Sequence, residues 1–194
     1  MAKLPDPRPH ASPVTRKEME RMAAVRSHAE GRAALGEVYV AMFNNPEIAR
    51  RVGELGEQIR FHGSLPDEVR EISILRYAGR RRLAYEWAHH VHPARLAGVS
   101  EEAIAALAKP EPPDGLEPVQ RAAVEAVDSV VAGGEIPAAT QRTLVDAVGE
   151  AGVVDLVALC GLYALMGYMT GAFAIEIEPG LPEPPFDRGG SRAT

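Results

Sequence analysis

The sequence predicts an all-helical fold, and three observations carry that expectation. Apolar residues recur every three to four positions through most of the chain. No convincing stretch alternates with the period of two that a half-buried strand shows. Alanine is abundant while aromatic residues make up only 5%, a balance that leans toward helix. With 194 residues, the chain suits one domain and is long enough to bury a core without disulfides or a structural metal.

Taken in order, residues 1–14 are proline-rich and read as an extended arm. Thr15–Leu35 places Met19, Met22, Ala23 and Val25 close to a helical period. A short piece follows at Glu37–Phe43. The turn Asn44-Asn45-Pro46 opens the next helix, with Pro46 suited to its first position and Ile48, Val52, Leu55 and Ile59 on one stripe. Ser64-Leu65-Pro66-Asp67 reads as a helix start, with Ser64 as cap and Asp67 and Glu68 at the positive end of the dipole. That helix, Pro66–Ala78, is expected to stop at Gly79. Another covers Leu83–Ala97 before Gly98, and Ser100 caps Glu101–Ala108. Pro110–Pro118 is a linker. Helices at Val119–Ala132, Pro137–Val148 and Gly152–Phe173 follow, and Gly161, Gly167 and Gly171 favour close packing within or between subunits. Residues 15–178 therefore form the domain, and residues 179–194 an irregular tail.

The formal net charge of −6 gives no general attraction to nucleic acid or to an anionic membrane surface. The start of the chain lacks the apolar run of a signal peptide, and no uninterrupted apolar run reaches about 18 residues. Cytoplasmic location is the default expectation. Cys160 is the only cysteine, which excludes an intrachain disulfide and a cysteine metal cluster. Its apolar surroundings mark it as a small buried hydrophobe. The basic residues Arg76 and Arg80–Arg82 read either as a solvated helix end or as an anchor for an anionic substrate.

Reactive side chains are densest at Tyr85-Glu86-Trp87-Ala88-His89-His90-Val91-His92-Pro93, which holds three of the six histidines and the only tryptophan. On a helix, residues three and four apart share a face, so Glu86 lies beside His89 and His90, and His89 beside His92. A carboxylate next to an imidazole is a workable proton-transfer pair; the same spacing also describes a plain surface ion pair. Tyr85 and Trp87 wedge the helix into a core. Pro93 removes an amide donor opposite the His89 carbonyl, and a kink there would open a pocket. Glu-x-x-His also occurs at di-iron sites, which need a second such motif; only one is present, so a metal reading reduces to Glu86, His89 and an imported ligand.

Three motifs in order, Arg70-Glu71-Ile72-Ser73-Ile74-Leu75-Arg76, then Tyr85-Glu86-Trp87-Ala88-His89-His90, then Ala97-Gly98-Val99-Ser100, resemble the carboxymuconolactone decarboxylase and alkylhydroperoxidase D-like superfamily. The likeness centres on Leu65–Leu107, with weaker echoes at Asn45-Pro46-Glu47 and Leu156–Glu178. The resemblance implies an alkylhydroperoxidase D-like helical bundle, a homo-oligomer (dimer, trimer or hexamer) with sites near subunit contacts. It also implies a small-molecule substrate. Redox members use a Cys-x-x-Cys pair; matched here, those positions fall on Glu86 and His89, and an upstream relay glutamate on Glu71. Without the thiols, the resemblance points to the decarboxylase branch: acid–base chemistry on a small organic acid or lactone, with no cofactor and no metal. Glu71, Glu86, His89 and His90 are the catalytic candidates. Arg76, Tyr85, Trp87 and His92 are the substrate-binding candidates, with Arg76 as carboxylate anchor. A peroxiredoxin-type oxidoreductase and a non-catalytic oligomer with a degenerate site are the alternatives.

Overall fold

A computed structural model describes residues 3–30 and 34–186. Among them are eight α-helices and one 3-10 turn, Arg8–His10, and no strand. The helices are α1 (Pro13–Glu30), α2 (Glu37–Met42), α3 (Pro46–Phe61), α4 (Asp67–Arg81), α5 (Ala84–Leu96), α6 (Glu101–Leu107), α7 (Pro118–Val131) and α8 (Ala138–Ala172). The end of the first expected helix, at 31–33, and the last part of the expected tail, at 187–194, lie outside the described residues.

Helix α4 is the centre of the bundle. It packs against α5, α7 and α8, and every residue from 71 to 79 is buried. A helix buried all round needs its polar side chains satisfied internally. Ser73 accordingly donates to the Val69 carbonyl, and Arg76 is bonded on several sides. The main core gathers Met22, Phe43, Ile74, Leu144, Leu156 and Leu159, among others. A second cluster forms on the other side of α4 around Leu75, Trp87, Val91 and Leu107.

Local signals explain several helix ends. Asn45 accepts from the Ile48 amide at the start of α3, and Ser100 from the Ala103 amide at the start of α6. Gly98 adopts φ 92° just after α5, a conformation that costs glycine little. Helix α5 runs through Pro93 to Leu96 without a break. Ser64 does not cap α4. Its amide donates to Asp155 of α8, and Pro66 stands at the cap position without a side-chain bond. Helix α4 also passes Gly79 and ends at Arg81, with Arg82 left-handed at φ 55°. The two helices expected after Pro137 are one element interrupted at Gly149 (φ 70°, ψ 173°).

By length and composition α8 could cross a membrane. Here it lies along α7, α4 and α3, with Leu156, Leu159, Leu162, Tyr163 and Met166 buried and Val154, Val157, Leu165 and Tyr168 exposed. After α8 the chain turns back as a strap. Ala174 takes a left-handed φ of 48°, and the Ile175 amide bonds the Thr170 carbonyl. The tail is irregular but docked: Phe186 meets Trp87 edge-on, with ring centroids 5.5 Å apart. The N-terminal arm lies beside the strap through Lys3–Glu176.

Candidate functional site

The first turns of α5 place Tyr85, Glu86, His89 and His90 around one hollow, which is closed by Gly36, Val38 and Tyr39, by Arg60 of α3, and by Tyr163 and Met166 of α8. Its volume is about 30 Å³, space for one or two water molecules.

Glu86 is the unusual member. It is 3% exposed, and neither carboxyl oxygen has a hydrogen-bond partner among the described residues. Burial disfavours the charged form and pushes its pKa up to about 7. The acid therefore carries its proton in weakly acidic solution and releases it near neutrality.

Glu71 is also buried, but it is partnered. Its Oε2 lies 2.7 Å from His90 Nδ1, and Arg70 Nε donates to its Oε1. Burial pushes this carboxyl up, but His90, Arg60 and Arg70 outweigh it and hold the group below the usual carboxylate range. An ionised carboxylate only accepts, so His90 Nδ1 carries the proton. His90 Nε2 meets the Tyr163 hydroxyl at 2.8 Å. The result is a buried chain, Glu71–His90–Tyr163, that ends at the hollow.

A third cluster lies beside the hollow. Glu178, on the strap, accepts from the Glu37 amide at 2.9 Å and from the Tyr85 hydroxyl at 2.8 Å, and its Oε2 lies 2.8 Å from His89 Nε2. Burial opposes its ionisation, yet His89, the amide and the phenol lower its pKa to about 2. Tyr85 is pushed well above the usual phenol value by burial and by Glu178. It stacks on His89 at 4.3 Å and accepts from the Val38 amide. Gly36 leaves room for this cluster, since a Cβ there would lie 3.0 Å from the Tyr85 hydroxyl.

Residues 46–129 match the model of the carboxymuconolactone decarboxylase family. Over this segment the chain is similar to that family. Two solved structures of the debrominase Bmp8 share the fold, one apo and one of a cysteine-to-alanine variant in complex with 2,3,4-tribromopyrrole. Each has a TM-score of 0.71 at 16% identity, covering 87% of this chain and 90% of the other. No curated protein matches the chain in sequence. The family segment carries Glu71, Glu86, His89 and His90, whereas Tyr163 and Glu178 reach the site from beyond it.

The structure brings some expected residues together and separates others. Glu86 and His89, the positions where the resemblance to alkylhydroperoxidase D-like members would put a thiol pair, both line the hollow. Glu86 pairs with neither histidine; His90 bonds Glu71 and His89 bonds Glu178. Arg76 is corrected. It is fully buried, binds Asp128 at 2.6 Å, and donates to the carbonyls of Lys109 and Pro110. It therefore staples α4 to α7 and to the loop between α6 and α7, and it does not line the hollow. Trp87 turns to the second core and Phe186. His92 is half-buried on α5 and likewise does not line the hollow. Cys160 is buried, and burial raises its pKa to about 12. Among the described residues no group of three His, Cys, Asp or Glu side chains is placed to hold a metal ion. Sequence reasoning missed Arg60, Tyr163 and Glu178. Nothing local marks Tyr163 and Glu178, because each acts through a contact distant in sequence.

Proposed function

We propose that this chain is an acid–base enzyme of the decarboxylase type, acting on a small organic acid or lactone with its own side chains as proton carriers. The observation that carries this reading is the buried, unpartnered carboxyl of Glu86 facing a hollow also lined by His89, His90 and Tyr163. A group with a pKa of about 7 serves equally as proton donor and acceptor at neutral pH. Loss of carbon dioxide leaves an electron pair on the former α-carbon; in this reading Glu86 supplies the proton that quenches it and regains one from solvent. Glu71 holds the His90 tautomer, and Tyr163 links that ring to the hollow. Bmp8 shows that the fold accommodates a small ring compound in at least one protein.

The test is turnover of a panel of small lactones and β-keto acids followed as product release, with Glu86→Gln as the decisive variant. Loss of a general acid costs about 100-fold or more. Turnover that persists undiminished in Glu86→Gln overturns the assignment. We further propose that copies of the chain associate, in a small homo-oligomer; the exposed Val154, Val157, Leu165 and Tyr168 of α8 support this, and sedimentation velocity measures it.

A further inference from the structure

With Arg76 committed to Asp128, the site needs another place for the carboxylate of an acidic ligand. One carboxylate is already bound there, and it belongs to the chain. The Glu37 amide, the Tyr85 hydroxyl and His89 Nε2 converge on Glu178 within 2.9 Å. Three donors on one carboxylate form a strong, charge-assisted cradle. Two of them, Tyr85 and His89, also line the hollow into which Glu86 faces.

Glu178 reaches this cradle from a segment with open grooves on both sides. Grooves of about 280 Å³ and about 560 Å³ flank residues 174–176, one beneath the N-terminal arm and one beside Tyr85 and Gly167. The strap begins at the left-handed Ala174, and Glu176 is an exposed residue paired to Lys3. The hollow itself, about 30 Å³, is smaller than any organic acid, so a ligand enters only if something moves. Displacing Glu178 frees Tyr85 and His89, which bond it and also line the hollow.

We propose that the cradle of Glu37 amide, Tyr85 and His89 is a carboxylate-binding subsite, and that Glu178 fills it until the carboxylate of a small organic acid displaces it. The substrate role of that acid rests on the acid–base reading above; the binding does not. The strap then works as an internal competitor. It lowers the apparent affinity for ligand carboxylates by the fraction of time it spends bound.

Glu178→Ala removes a CH2–COO⁻ unit, whose free counterpart is acetate. The full-length variant and the parent are titrated with acetate and with neutral acetamide, following the ring NMR signals of His89 and Tyr85. Expected is a saturable acetate shift in Glu178→Ala, with an apparent Kd about tenfold or more below that of the parent, and no saturable shift with acetamide. Equal responses in both proteins, or no response in either, overturn the proposal. Glu178→Gln keeps the shape and removes the charge. If Glu178→Ala loses its helical circular dichroism, the glutamine variant decides, with tighter acetate binding than the parent expected and equal binding overturning the proposal. Repeating the titration with Glu86→Gln added separates the two readings. Retained acetate binding supports the cradle whatever turnover does, whereas undiminished turnover in Glu86→Gln sinks only the acid–base assignment.

Discussion

At the scale of single residues, Glu86 and Glu71 show how one environment sorts two buried carboxyls. Glu71 has His90, Arg60 and Arg70 around it and is held ionised despite burial. Glu86 has burial opposed only by its own backbone amide, and its pKa rises from 4.5 to about 7. The native state thus holds the Glu86 proton more tightly than the unfolded chain does. Stability from this group is full below pH 4.5 and is lost as pH climbs to about 7; the shift corresponds to roughly 3 kcal/mol. Glu86→Gln, which cannot ionise, should escape that loss. Urea melts at stepped pH should show the variant gaining on the parent between pH 4.5 and 7 and a constant difference above. A difference independent of pH across that window would show that Glu86 is not held neutral by the fold. The helical spacing in the sequence was enough to bring Glu86, His89 and His90 to one side of α5. It could not reveal their partners, because His90 bonds a residue on another helix and His89 one on the strap, 89 positions away. Arg76 was misjudged for the same reason: its partner Asp128 and its carbonyl acceptors lie on elements that only the packed fold brings near.

At the scale of elements, glycine carries two meanings that a sequence does not separate. Gly98 follows the first, a positive φ that stops α5. Gly79 follows the second. It sits inside α4, where an added Cβ would come within 2.8 Å of the Leu107 carbonyl and 2.9 Å of Ala108 Cα. Helix α6 leans on α4 at that point because no side chain intervenes, so the expected helix stop is in truth a contact. Backbone atoms cannot rotate away as a side chain would. Gly79→Ala should therefore destabilise by about 1–3 kcal/mol. Gly161 offers the opposite case on α8, where nothing lies within 4 Å of the added Cβ. Gly161→Ala should stabilise the single chain, measured at concentrations too low for association, by about 0.4–1 kcal/mol, through the lower entropy of the unfolded chain and better helix propensity. Denaturation midpoints of the two variants should move in opposite directions. A shift of the same sign in both would sink the contact explanation for Gly79.

At the scale of the whole molecule, helices came through from sequence well because their period is local. The C-terminal strap did not, because what fixes it is distant. Proline and glycine gave the tail its irregular backbone, but its docking depends on surfaces presented by α5. Phe186 stands edge-on to Trp87, and Arg82 lies over the Phe186 ring. Ile175 and Ile177 pack on the main core, and Glu178 between them and Phe186 enters the site. One continuous segment thus spans both hydrophobic clusters and bonds Tyr85 and His89 on the way, so looseness at Phe186 should be felt along the strap. Trp87 is the only tryptophan and is 2% exposed, which makes intrinsic fluorescence a direct report on this docking. Phe186→Ala removes an aromatic pair worth about 0.5–1.5 kcal/mol beyond its buried area, so the domain should stay folded while the end of the strap lifts. Emission from Trp87 should move to longer wavelength and acrylamide should quench it more readily, with the far-ultraviolet dichroism unchanged. Identical emission and quenching in parent and variant would mean that Phe186 does not shield Trp87 in solution, and that the strap is held at the site by Glu178 and the isoleucines alone.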